Sequence, residues 1–301
     1  MRSKILLLSA LAVLAGCARP VPVESPDMAP AELRAALAKC CAQGDQYPPG
    51  VVAVVESAAS SAIPFSRSVL VRKPYLQDAP GAAEAILGRA QPLDLILVAN
   101  RAHLSGVLGT GYFGHSILYI GGEGDLRALG LWDHPLVRPY QGQIRAGALA
   151  IEAIEGGVRL ADTQLVMDSD NSALLRPRAL STADKRAAIL YLFEQLGTPF
   201  DVHFDMASDQ ALFCTELVAK ALPDMGLPVT TAYGRQVVWP DEVAAKSLIG
   251  ETGYELVSYI KGAPGGAWRR ADWAEMARDI LAAWPPASPP APDAARLAEA
   301  S

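Results

Sequence analysis

Cys214 stands in the string Leu212-Phe213-Cys214-Thr215-Glu216-Leu217-Val218, about a hundred residues downstream of a histidine that opens an apolar run, Gly114-His115-Ser116-Ile117-Leu118-Tyr119-Ile120-Gly121. A thiol attacks only as its thiolate, and a neighbouring imidazole or a helix N-terminus brings its pKa toward neutrality. If the two residues work together, the fold must close that long interval and set one against the other. Spatial pairing of Cys214 and His115 is therefore the main constraint on the chain.

The hydrophobic pattern supplies elements of both kinds. A compact apolar strand is expected over 93–98, with further strands over 116–120, 148–154 and 172–177, bounded by glycine or proline, and a late strand over 254–260. A short strand is also expected over 51–56, while 60–73 fits neither period. Helices are expected over 31–42, over 82–87 up to Gly88, over 214–222 up to Pro223, and over 271–284, where Trp273, Met276, Ile280 and Leu281 share a face. Ser181-Thr182-Ala183-Asp184 has the capping-box pattern and opens a helix that Gly197 stops. Strand runs with segregated helices indicate an α+β fold.

Both ends of the chain look different from its middle. Residues 1–17 carry Arg2 and Lys4, an apolar run over 5–14, and then Leu14-Ala15-Gly16-Cys17. The run is too short for a membrane span and suits a signal-peptide core. Its last four residues resemble a bacterial lipobox, which implies cleavage before Cys17, lipidation of its sulfur, and a membrane tether on the periplasmic side of the bacterial envelope. An ordinary secretory leader is the alternative. Ala18 in place of aspartate, by similarity to enterobacterial sorting, points to the outer membrane. From Trp284-Pro285-Pro286 onward the Pro/Ala-rich chain has little to bury and is expected to be a disordered tail. The expected division is a leader over 1–17, a linker and extension over 18–90, a catalytic domain over 91–262, and a C-terminal helix with its tail over 263–301. Lipid on Cys17 leaves three thiols. Adjacent cysteines rarely bridge each other, so Cys40 and Cys41 are expected as free or buried thiols, with an intermolecular bridge as the alternative.

Net charge and motif content exclude several classes. The chain carries a net charge of −6 and no basic stripe interleaved with aromatics, so nucleic acid is not an expected partner. There is no P-loop or dinucleotide fingerprint. Gly106-Val107-Leu108-Gly109-Thr110-Gly111 has the wrong spacing and leads toward the His115 strand, as a loop beside the site would. Neither Cys-x-x-Cys nor His-x-x-x-His occurs, so no metal or other cofactor is expected.

His115 in its strand, Glu152-Ala153 followed by Gly157-Val158, and Phe200-Asp201 followed by Cys214-Thr215-Glu216-Leu217-Val218 together resemble the permuted papain-like amidases, the YiiX/YaeF-like relatives of the NlpC-type peptidases. The likeness runs roughly over residues 92–243. Ordinary papain-like chains place the cysteine before the histidine; this chain has the reversed order of the permuted group. The Gly-Asp-Leu-Ile segment of those relatives reads Leu93-Asp94-Leu95-Ile96 here. The resemblance implies a circularly permuted papain-like fold with an antiparallel sheet packed against helices. It also implies Cys214 as nucleophile at a helix start, His115 as base and Glu152 as the group that orients the imidazole. A helix beginning instead at Ser208 or Asp209 would set Cys214 in its second turn. Glu155 is the rival to Glu152, but strand alternation puts it on the opposite face. His103, His134 and His203 lack the strand context of His115. The N–H of Cys214 is the expected oxyanion donor, with the Tyr112 hydroxyl as a second candidate and packing as its other role. Glu216 is expected to be structural. The implied activity is thiol-dependent hydrolysis of an amide, with a cell-wall peptide as one accessible substrate. The alternatives are lipid-directed acyl transfer or ester cleavage by the same pair, and a non-catalytic envelope-binding lipoprotein.

Overall fold

Apolar runs cut by glycine and proline become one seven-stranded sheet in the computed structural model, which describes residues 28–41, 49–109, 111–208 and 210–284. The leader with Cys17 and the Pro/Ala-rich tail lie outside the described residues. The strands are β1 (Leu95–Ala99), β2 (His115–Tyr119), β3 (Ala150–Ile154), β4 (Gly157–Ala161), β5 (Asn171–Pro177), β6 (Thr230–Ala232), β7 (Arg235–Val237), β8 (Tyr254–Ala263) and β9 (Ala267–Ala271). The large sheet has the order β4-β3-β2-β1-β5-β8-β9 and every neighbouring pair is antiparallel, while β6 and β7 form a separate hairpin.

Helices cover both faces of that sheet. Those that bear on the site are α1 (Pro30–Ala38), α2 (Pro49–Ser68), α3 (Ala82–Leu87), α4 (Leu104–Leu108), α5 (Thr182–Glu194), α6 (Cys214–Ala221), α7 (Pro240–Ile249) and α8 (Trp273–Ala283). Leu95, Leu97, Leu118, Ile151 and Leu175 point into the main core with side chains of α1, α5, α6, α7 and α8, whereas Ile96, Ile117, Leu174 and Ile260 meet Leu76 and Ile86 on the other face. Burial on both sides is why β1 reads as the unbroken apolar string Leu-Ile-Leu-Val-Ala rather than as an alternation. The capping box is present as expected, with the Ser181 hydroxyl accepting from the Asp184 N–H at 3.1 Å. The mixture of an antiparallel sheet with helices is the α+β architecture expected.

Three expectations need correction. Residues 51–56 are helical, inside α2, which also takes up most of the ambiguous 60–73. Their valines suit a strand by propensity alone, but helix and strand cannot be told apart from a short apolar run. The chain beyond 262 is more than a helix and a tail, because β9 pairs with β8; Met276 and Ile280 of α8 share the main core with Leu33 and Leu37 of α1, as the apolar face of that helix leads one to expect. Cys40 and Cys41 are not free thiols; they form a disulfide with each other, buried in the turn after α1. The left-handed backbone of Cys41, φ 72°, lets adjacent residues bridge with their Cα atoms 3.7 Å apart. Among the described residues no helix is long and apolar enough to cross a membrane.

Candidate active site

A break in the sheet makes the site. On one side β2 pairs with β1 along its length, from Leu95↔Leu118 to Val98↔His115. On the other it pairs with β3 only at Leu118↔Ile151 and Tyr119↔Ala150. Continuing that register would set Ile117 opposite Glu152; instead the strands part there. The helix α6 packs against both β2 and β3, and its first residue, with Phe213 as an extended N-cap, is Cys214, hydrogen-bonded to His115. The helix therefore does not begin at Ser208. Thr215 ties the turn down by donating its hydroxyl to the Val238 carbonyl at 2.6 Å, and the Glu216 carboxylate accepts the Phe213 N–H at 3.4 Å. Glu216, fully buried with Lys220 3.0 Å away, thus has the structural role expected of it.

Across the opening, His115 Nε2 donates to Glu152 Oε2 at 2.7 Å, which leaves Nδ1 for the thiol. All three residues are buried. Burial alone would raise the Cys214 pKa, but its hydrogen bond with His115 and the imidazolium charge bring it down to about 7. The N–H and hydroxyl of Ser116 act in the same direction, and that buried hydroxyl has no other partner. For His115, burial disfavours the imidazolium, yet the hydrogen bonds with Cys214 and Glu152 lift its pKa to about 9. Burial likewise opposes ionisation of Glu152, and the hydrogen bond and charge of His115, followed by those of Arg159, outweigh it and hold the carboxyl at about 2. Near neutral pH the arrangement therefore favours a thiolate beside an imidazolium, with a fixed carboxylate behind it.

Arg159 completes this chain of charges. It lies directly across the β3–β4 hairpin from Glu152, and its Nε and Nη2 donate to Glu152 Oε1 at 2.9 and 2.8 Å. The hairpin turns through Glu155 and Gly156 and docks on the segment that leads to Phe200, with Val158 N–H donating to the Thr198 carbonyl at 2.8 Å. Only glycine fits at 157, where φ is 110° and a Cβ would lie 2.6 Å from the Thr198 oxygen. Glu155 faces away and pairs with Arg67 at 3.0 Å.

The loop before His115 is fixed by a buried carboxylate. Asp241, in the first turn of α7, accepts from the N–H groups of Tyr112 and Phe113 at 2.5 and 2.7 Å and from Trp284 Nε1 at 2.6 Å. Burial raises its pKa to about 6 against the pull of those donors. The Tyr112 hydroxyl is engaged with Tyr259 at 2.5 Å, so its role is packing rather than oxyanion binding. The remaining histidines have other surroundings: His103 Nδ1 lies 2.7 Å from the Arg67 carbonyl, His134 Nδ1 accepts from the Leu136 N–H at 3.3 Å, and the His203 N–H donates to Asp201 at 2.8 Å.

The description "permuted papain-like amidase enzyme, YaeF/YiiX, C92 family" belongs to a sequence model that matches residues 89–265. The chain belongs to that family. No curated protein and no solved structure matches it. As a permuted papain-like amidase, the protein is a cysteine hydrolase. Within this amidase, Arg159, Asp241 and Ser116 were not singled out from the sequence. Folding the hairpin about Glu155 and Gly156 would have paired Arg159 with Glu152. The Trp239-Pro240-Asp241-Glu242 run, with Gly250 ten residues later, carries the proline-first, glycine-last signature of a helix.

Proposed function

We propose that the protein hydrolyses an amide through Cys214, His115 and Glu152. The observation that carries this reading is the buried His115–Glu152 pair at 2.7 Å, set across the opening that receives the first residue of α6. The thiolate attacks the carbonyl carbon, and the amide oxygen takes the charge. As the first residue of its helix, Cys214 has an N–H with no helical acceptor, available to that oxyanion. The His115 imidazolium gives its proton to the leaving amine as the C–N bond breaks. Water then attacks the thioester with His115 taking its proton, and the thiol is regenerated. Glu152 and Arg159 hold the imidazole in position throughout.

The lipobox-like Leu14-Ala15-Gly16-Cys17 supports a periplasm-facing lipoprotein, tethered to the outer membrane through Cys17, and a cell-wall peptide as the substrate within reach. A second reading, acyl transfer or ester cleavage on a lipid by the same residues, needs an apolar groove beside Cys214; the open hollow of about 360 Å³ beside the β3–β4 turn is lined by Pro64, Glu155, Pro199, Phe200 and Val202 and not by Cys214 or His115. The test incubates the chain from Ala18 onward with peptidoglycan fragments and, separately, with phospholipid, and follows products by mass spectrometry. New amine and carboxylate ends that vanish with Cys214→Ala support the amidase reading. Release of fatty acid alone supports the lipid reading, and no Cys214-dependent product from either sinks both.

A further inference from the structure

Among the described residues, five large apolar side chains stand exposed: Phe65, Leu70, Val71, Val107 and Val229. The first four share one surface. Phe65 lies in the last turn of α2, which packs against α4, the helix that bears Val107. Leu70 bridges to His103; the Val71 N–H donates to the Ala102 carbonyl at 2.7 Å, and the Leu104 N–H to the Val69 carbonyl at 2.9 Å. Val229 belongs to the segment before β6.

The sequence segments that form this surface are poor in acidic residues. No aspartate or glutamate occurs between Glu56 and Asp78 or between Asp94 and Glu123, whereas Arg67, Arg72, Lys73 and Arg101 do. Arg67, Arg72 and Lys73 pair with Glu155, Asp170 and Asp78, and Asp168 lies 3.4 Å from His103, yet 35% and 33% of the Arg67 and Arg72 side chains remain exposed. Apolar side chains rimmed by arginine and lysine suit the boundary between lipid headgroups and acyl chains, where the cations reach the headgroups and the apolar groups go below them.

We propose that Phe65, Leu70, Val71 and Val107 form a face that docks on a lipid bilayer. The position of the lipobox-like cysteine favours this occupant. Ten residues lie between Cys17 and Met28, a reach of about 40 Å when extended, so a tether there keeps the domain at high local concentration over the membrane. A tether alone leaves the orientation of the domain free; this face fixes it. The site is then held at the bilayer surface, because α4 leads into the loop before His115 and Arg67 grips the turn of the hairpin that carries Glu152 and Arg159. The docking face stands independently of the chemistry assigned to Cys214.

Its test is flotation with vesicles of phosphatidylethanolamine and phosphatidylglycerol, using the unlipidated chain from Ala18 onward, which keeps every described residue. The parent should float, and Phe65→Ser with Val71→Ser should lower its partition on the order of tenfold or more, while Val229→Ser matches the parent. An unchanged melting curve and an unchanged Cys214 alkylation rate in the double variant show that its fold is intact. A parent that stays with the soluble fraction overturns the proposal, as does a double variant that floats equally well. A parent dimer in light scattering that the double variant converts to monomer would reassign the face to a second copy of the chain.

Discussion

Replacing Glu152 with glutamine isolates what the carboxylate does for the thiol. Its two oxygens have different partners, His115 Nε2 on one and the Arg159 guanidinium on the other, and all of them are donors. A glutamine amide must present its own NH₂ to one of these, and it brings no negative charge to the imidazolium. Exchanging a charge-assisted for a neutral hydrogen bond forfeits about 1.4 kcal/mol, which is about one pH unit in the proton affinity of the imidazole. The imidazolium then forms less readily, and the thiolate that it pairs with is less favoured. The assay is the iodoacetamide alkylation rate of Cys214 across pH in the chain from Ala18 onward, where Cys40 and Cys41 are tied up in their disulfide. In the parent the rate should rise with a midpoint of about 7. In Glu152→Gln the midpoint should move up by about one pH unit, with labelling near pH 6 slower about tenfold and labelling well above pH 9 little changed. An unchanged midpoint, or one moved down, would refute the coupling of Glu152 through His115 to Cys214.

Amide hydrolysis should follow a bell in kcat/KM, rising as the Cys214–His115 ion pair forms near pH 7 and falling as the imidazolium is lost near pH 9; a single rising limb would contradict the ion pair. Asp241→Ala strands the N–H groups of Tyr112, Phe113 and Trp284, and urea unfolding should show a loss of about 2–4 kcal/mol, together with slower hydrolysis as the loop before His115 loosens. Gly157→Ala meets both an unfavourable φ and the Thr198 oxygen, so the same measurement should read a loss of about 1–3 kcal/mol. Thiol counting under denaturing conditions on the chain from Ala18 onward should find one alkylatable cysteine before reduction and three after; three before reduction would contradict the Cys40–Cys41 bridge.

Residues whose role follows from local chemistry were readable from the sequence. Ser181 and Asp184 signal their helix start because the cap satisfies N–H groups within four residues. His115 and Cys214 stood out because each sits at the start of an element with a distinctive flank. What escaped reading depends on contacts distant along the chain. The need for Asp241 comes from Tyr112, Phe113 and Trp284, 129, 128 and 43 residues away, and no local pattern reveals it. The valines of α2 show the opposite failure, a local preference for strand overridden by context. The Cys40–Cys41 bridge depended on one left-handed residue, which the identity of Cys41 does not announce.

The first and last described helices lie against each other, and the Arg34 guanidinium sits 4.8 Å from the centre of the Trp273 ring. A chain that returns to its own beginning can be cut and rejoined with little loss of closure entropy. Joining the two helices and opening the exposed stretch around Ala207 and Gln210 would yield a polypeptide in which Cys214 comes first and His115 later, with every contact of the site unaltered. The reversed order is thus a matter of where the chain happens to have its ends. A variant rejoined in this way would show it by retaining activity.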